Sequence, residues 1–180
     1  VLYAFGLDRV GVVVSDLYFL DPVQKAGQEG AEHGVRLEVR LLERGELKGT
    51  VYSAQPIGIG QPVWRADLLE RVESEPGSFD RTHHHPRFVG WDPGRREWEP
   101  GLSDDPLTFI AEQLADLSGL LERAGIDVDE AGPEDAESLR TAVPEIVDTT
   151  RRLLDRVHRG ELGHAPADAS QLVSARIGWL

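Results

Sequence analysis

Residues 35–43 alternate more cleanly than any other part of the chain, with Val35, Leu37, Val39 and Leu41 on one side and Arg36, Glu38 and Arg40 on the other. A period of two predicts a strand with one face in the core and the other polar. The short Arg44-Gly45-Glu46 turn then leads into residues 47–53, so 35–53 is expected to be a hairpin. Upstream, residues 10–20 are rich in Val, Tyr and Phe, which predicts a strand ending at Asp21-Pro22. Residues 21–34 are polar and contain glycine, and are expected to form a loop. Residues 55–62 hold two prolines and two glycines, which break a ladder and predict an ordered loop or an edge crossing. Residues 63–72 fit a strand face through Trp64, Ala66, Leu68 and Val72, although 66–71 also contains good helix formers. The turn-rich segment 73–78 and the strand-like 79–89 favour a second hairpin, and Trp91-Asp92-Pro93-Gly94 begins another turn.

From residue 103 the period changes. Ser103-Asp104-Asp105-Pro106 supplies an N-cap and a proline at the first helical position. Leu107, Ile110, Leu114, Leu117 and Leu121 then recur at helical spacing until Gly125, predicting a helix over 106–124. Residues 134–140 are expected to form a short helix, and Pro144 to start another over 144–159, closed by Gly160. Strands first and helices second indicate an α+β fold, a mainly antiparallel sheet within residues 1–98 covered by the C-terminal helices. The expected organisation is a core domain over 1–125 and a helical extension over 126–180. Val173, Ile177, Trp179 and Leu180 mark the tail of that extension as a docking segment.

Composition narrows the chemistry. The 180 residues contain no cysteine, which excludes disulfides, thiolate nucleophiles and zinc–thiolate sites. Methionine is also absent, so Val1 reads as an alternative start codon or as the end of a fragment. Arginine outnumbers lysine seventeen to two and asparagine is missing, a bias that points to a bacterium with GC-rich codons. No apolar run approaches the ~20 residues of a membrane span. There is no secretory pattern at the start, so a cytoplasmic protein without membrane contact is expected. Of the net charge of −13, residues 99–137 carry −11, from twelve carboxylates and one arginine. The remainder is nearly neutral and can hold a local anion site. The acidic stretch is expected to be a solvated amphipathic helix, or else a cover or partner surface for a cationic patch.

That patch is the run Arg81-Thr82-His83-His84-His85-Pro86-Arg87, which gathers half of the six histidines between two arginines. On a strand, Arg81, His83, His85 and Arg87 share one face, and His84 turns towards the core. Two histidines at i, i+2 can reach one divalent ion such as zinc, with a third ligand from Asp67, Glu73, Asp80 or His33. The flanking arginines repel a cation and favour an anion, leaving a histidine free for acid–base work. A polar sheet face open to solvent is the plain alternative. If residues 63–72 pair with 79–89 so that Arg71 opposes Arg81, then Asp67 lies across from His85 and orients it, while a one-residue slip removes it from that face. Tyr52, Trp64, Trp91 and Trp98 are either core packing or a stacking platform. No dinucleotide fingerprint, Walker A, G-x-S-x-G or HExxH pattern is present.

A hairpin, a strand ending in His-x-His, and a leucine-rich helix resemble the small TumE-type proteins of bacterial toxin–antitoxin pairs. Arg65-Ala66-Asp67, the run from Arg81 to Arg87 and the stretch from Phe109 to Leu121 carry this resemblance. It implies a module that works with a protein partner, His83 and His85 standing in the marked positions. The chain departs from that pattern in lacking asparagine near the histidines and in its added helical C-terminus. The expectation is therefore an Arg/His anion site acting on a phosphoester, RNA or a phosphorylated small molecule. His83 or His85 is the acid–base group, Asp67 its orienter, and Arg65, Arg81 and Arg87 stabilise charge. The rivals are a non-catalytic interaction module or homo-oligomer, and a histidine-based metal site.

Overall fold

The computed structural model describes residues 1–167 apart from 22, 25 and 51. Five strands form one antiparallel sheet in sequence order: β1 (Leu2–Gly6), β2 (Val10–Phe19), β3 (Glu32–Arg44), β4 (Ile57–Arg71) and β5 (His83–His85). Helices follow: α1 (Pro100–Asp104), α2 (Pro106–Ala115), α3 (Leu117–Ala124) and α4 (Asp135–His158). This is the expected α+β arrangement, with strands first and helices second.

Alternation along the strands creates two unlike faces. Val12 and Val14 of β2, Val35, Leu37 and Val39 of β3, and Trp64, Ala66 and Leu68 of β4 join Ile110, Leu114, Leu121, Leu139, Ile146, Leu153 and Val157 in one core. The helices therefore cover one side of the sheet. Helix α4, from the segment expected as a C-terminal extension, belongs to the same core as the strands. The opposite side presents Arg36, Glu38, Arg40, Arg65 and Asp67, whose cover comes from residues 86–98.

Several boundaries differ from the sequence reading, each for a physical reason. Residues 47–50, 52 and 53 are not the return strand of a hairpin. β3 runs on to Arg44, a connection closed by Gly45 N–H donating to Pro56 O at 2.8 Å follows, and β4 begins at Ile57. The proline-containing stretch 57–62 is thus strand, because the β3–β4 register shifts around Arg40↔Pro62. A bulge tolerates the missing proline N–H that a regular ladder would not.

The helix expected over 106–124 divides at Asp116, which accepts from Gly119 N–H at 3.1 Å and so caps α3 anew. Asp105 caps α2 as predicted, accepting from Thr108 N–H at 3.1 Å. The two helices expected over 134–140 and 144–159 are one, with Pro144 inside α4. Pro144 and Arg140 are both exposed, so the carbonyl that loses its helical partner faces water. The tail residues Val173, Ile177, Trp179 and Leu180 lie outside the described residues.

Two close approaches hold the sheet. Asp135, 1% exposed, accepts from the backbone N–H groups of Asp8 (2.7 Å), Arg9 (3.0 Å) and Gly132 (2.7 Å), tying the β1–β2 turn to the start of α4. Gly34 in β3 has φ 151°, and a Cβ there would lie 2.0 Å from the Leu68 carbonyl oxygen. The Gly34→Ala variant is therefore expected to lose about 3 kcal/mol of stability. An unchanged urea midpoint would show that β3 can move away from β4 at that position.

Candidate functional site

β5 enters the sheet with Arg65↔His85, Ala66↔His84 and Asp67↔His83 opposed. The register expected from sequence, with Arg71 opposite Arg81, is displaced by two residues. Tight turns closed by Ser74 N–H to Arg71 O, Ser78 N–H to Glu75 O and Thr82 N–H to Phe79 O take up that chain. The Asp80 carboxylate, not Arg81, meets Arg71, accepting its backbone N–H at 2.9 Å. A displacement of two preserves the face, so Asp67 still stands with both histidines, now directly across from His83.

Asp67 is 1% exposed and surrounded by donors. Arg36 Nε donates to Oδ1 at 2.6 Å and its Nη2 to Oδ2 at 3.3 Å, while Arg65 Nε lies 3.1 Å from Oδ2. Burial pushes the carboxyl up, but Arg36 and Arg65 beside it outweigh burial and hold it well below the ordinary carboxylate range. His83 Nε2 is 3.4 Å and His85 Nε2 3.7 Å from the same Oδ2.

Backbone carbonyls set both rings. His83 Nδ1 faces Arg81 O at 2.8 Å and His85 Nδ1 faces Pro93 O at 3.0 Å. A carbonyl only accepts, so each Nδ1 carries a proton. His85 Nε2 then accepts from Arg65 Nη2 at 2.9 Å, which makes the ring neutral. Burial first, and the Arg65 charge second, push His85 down to about 3.

Charges missed by the sequence reading complete the site. Arg36, Glu38 and Arg40 read as an outward, solvated set, yet Glu38 and Arg40 are 6% and 5% exposed. Arg40 Nε donates to Glu38 Oε2 at 2.8 Å and its Nη1 to Gly60 O at 2.9 Å, and Arg65 Nη1 is 4.0 Å from Glu38 Oε1. The available signal was their alternation with Val35, Leu37 and Val39, which puts all three on one face. What buries them is distant in sequence. Residues 86–98 return over the sheet and set aromatic rings against the polar groups. Phe88 lies under the Arg65 guanidinium (5.8 Å), Trp91 under that of Arg40 (5.6 Å), and Trp98 beside His83 (5.2 Å).

The result is a cleft of about 950 Å³ lined by Asp67, His83, His85, Arg36, Arg40, Arg65, Arg95 and Arg96 among others. Its lining holds five arginines against the three carboxylates of Asp21, Glu38 and Asp67. That is a positive hollow in a chain of net charge −13.

Not every residue expected at the site reaches it. Arg81 is turned to the 27–29 loop, donating to Gly27 O at 2.5 Å and Glu29 O at 3.3 Å, with Nε 3.9 Å from Glu32. Arg87 is exposed beside Gly125, on the way to the helices, because Pro86 ends β5 and its alternation. His33 pairs with Glu70 at 3.7 Å, and Asp80 with Arg71 at 3.1 Å. Glu73 is exposed in the turn after β4, so Asp67 alone of the four expected ligands joins the two rings. His84 turns to the helix side as expected, edge-on to Trp64 and Phe109. Trp64 is core and Tyr52 is 94% exposed, so neither joins a stacking surface; Trp91 and Trp98 do line the cleft. The acidic helices pack on the far face and do not cover the cationic patch. Among the described residues no helix is long and apolar enough to cross a membrane.

No family model, curated protein or solved structure matches this chain.

The depressed His85 value gives stability a pH dependence. An unfolded histidine takes a proton near pH 6.5 and the folded ring only near 3, so between them the unfolded chain binds more protons. This contribution is complete above about pH 6.5 and is lost as pH falls towards 3, at up to about 1.4 kcal/mol per pH unit. His33 and His84 are shifted in the same direction. The His85→Gln variant is therefore expected to lose one proton's worth of slope between pH 6.5 and 5, read as denaturant midpoints. Parallel slopes for the two proteins would contradict the assigned neutral ring.

Proposed function

We propose that the cleft binds a phosphoester or related small anion, an RNA end included, and that its histidines handle a proton during the reaction. The observation that carries this reading is the charge of the cleft lining. The cleft is lined by five arginines and three carboxylates, and beside it Arg81 and Arg96 both approach the single carboxylate of Glu32. Excess positive charge under low-dielectric walls attracts an anion strongly, and guanidinium forks match phosphate oxygens in geometry. The volume suits a nucleotide-sized ligand. Trp91 and Trp98 at the rim offer apolar planes on which a base can stack.

In this scheme Arg40, Arg65, Arg95 and Arg96 hold the phosphoryl oxygens. Arg36 acts on Asp67, fixing its carboxylate. His83 is the proton donor: its Nδ1 proton is committed to the Arg81 carbonyl, and its Nε2 meets Asp67, so a proton placed there is held by a carboxylate. Of the arginines expected from sequence, Arg65 keeps the role of charge stabiliser, Arg81 supports the loop beside the cleft, and Arg87 has no part. The setting proposed is the paired, partner-dependent one that the TumE-type resemblance implies.

The reading is tested by titrating the protein with inorganic phosphate, adenosine monophosphate and a short oligoribonucleotide. Reversing the rim charges in Arg95→Glu/Arg96→Glu is expected to weaken binding at least about tenfold, roughly 1.4 kcal/mol, whereas Arg87→Glu leaves it unchanged. Equal effects from the two charge reversals would mean that general surface potential, and not the cleft, attracts the ligand. Catalysis is tested separately by turnover of the oligoribonucleotide. Rates in His83→Ala and His85→Ala indistinguishable from the wild type would remove it.

A further inference from the structure

The three polar atoms that converge at the floor of the cleft are spaced for an ion rather than for each other. One ring nitrogen each of His83 and His85 and an Asp67 carboxylate oxygen lie within 4.8 Å of one another, all on buried side chains. In the neutral tautomers both Nε2 atoms present lone pairs, and they stand 3.4 and 3.7 Å from Asp67 Oδ2. Bonds of about 2.0–2.1 Å to a tetrahedral zinc ion place neighbouring ligand atoms roughly 3.3–3.4 Å apart. The separations of the two nitrogens from Asp67 Oδ2 are close to that edge length.

The surroundings of these atoms agree. Each imidazole donates Nδ1–H to a main-chain carbonyl, Arg81 O or Pro93 O, which aims Nε2 inward and fixes the tautomer. Metal-ligating histidines are held in this way almost without exception. Arg36 Nε anchors the carboxylate through Oδ1 at 2.6 Å. Oδ2, the oxygen nearest both rings, has the longer approaches of Arg65 Nε at 3.1 Å and Arg36 Nη2 at 3.3 Å, which an ion would have to displace. The same cleft gives solvent or a ligand room to complete the coordination.

We infer that His83, His85 and Asp67 form a divalent metal site of the zinc class, with Arg65 as its built-in competitor. Arg65 Nη2 sits 2.9 Å from His85 Nε2, on the lone pair that an ion needs, and its charge opposes a cation. When the ion enters, this guanidinium withdraws from His85 towards Glu38 Oε1, now 4.0 Å away. The site goes beyond the anion reading and does not depend on it. An ion there would add to the positive charge of the cleft.

The test is calorimetric titration of the full-length, chelator-stripped protein with zinc chloride, together with the visible absorption of the cobalt(II)-loaded form. One equivalent of zinc is expected, with a tetrahedral cobalt spectrum, and His83→Ala and His85→Ala are each expected to weaken binding about 100-fold. Arg65→Ala is expected to tighten binding at least tenfold, because it removes the competitor while Arg36 still holds Asp67. That variant keeps the test decisive even if a histidine variant misfolds, since a merely structural Arg65 would weaken binding or leave it unchanged. Substoichiometric zinc, or zinc retained by the His83→Ala/His85→Ala double variant, overturns the proposal. Phosphate and nucleotide titrations in excess EDTA report on the anion reading alone, so either can fail without the other.

Discussion

A single buried carboxylate organises the polar side of this protein. Asp67 lies in the middle of β4, where a charge taken out of water is costly unless opposite charge and hydrogen bonds surround it. Arg36 and Arg65 supply both, and neither can do so without being buried itself. Their burial brings in Glu38 and Arg40, which share the face, and the chain grows into a network of five charges across β3 and β4. Removing any one member leaves an uncompensated neighbour, so the rotamers of the group are tightly constrained. That rigidity lets the two histidine rings hold a fixed relation to Asp67.

The cover over this network is aromatic, and that choice follows from what lies beneath it. Guanidinium planes are weakly hydrated and stack against ring faces, so Phe88 and Trp91 can exclude water over Arg65 and Arg40 without stranding hydrogen-bond donors. Purely aliphatic cover would lack that attraction. The loop bearing these rings is tied back through His85 to Pro93 and through Arg96 to Glu32 at 3.1 Å. Loop and network support each other, and the hollow between them retains its positive charge.

β5 connects the two halves of the molecule. With three residues it is the shortest strand, yet His83 and His85 face the cleft while His84 packs between Trp64 and Phe109 on the helix side. Trp64 Nε1 donates to His84 Nδ1 at 3.4 Å, so the middle histidine is seated in the hydrophobic layer. Position and alternation in one short strand thus couple the packing of the helices to the placement of the site.

Much of this was legible in the residues themselves. Period two in 35–43, the cap at Asp105 and the change to helical spacing after 103 arise from neighbours close in the chain, so they announce the α+β layout and the separation of His84 from His83 and His85. Longer-range features did not show. The β4–β5 register depends on how the turns after Arg71 consume chain, and on Asp80 reaching back to the Arg71 backbone. That contest moved Asp67 from His85 to His83 without changing its face, because pleating conserves parity. Arg36, Glu38 and Arg40 looked solvated, since nothing within 35–43 reveals that residues 86–98 will fold over them. Arg87 looked like a site residue until Pro86 ended the strand before it. Local pattern specified which atoms could share a face, while the burial that turns a polar face into a charged cleft came from segments that meet only in the folded chain.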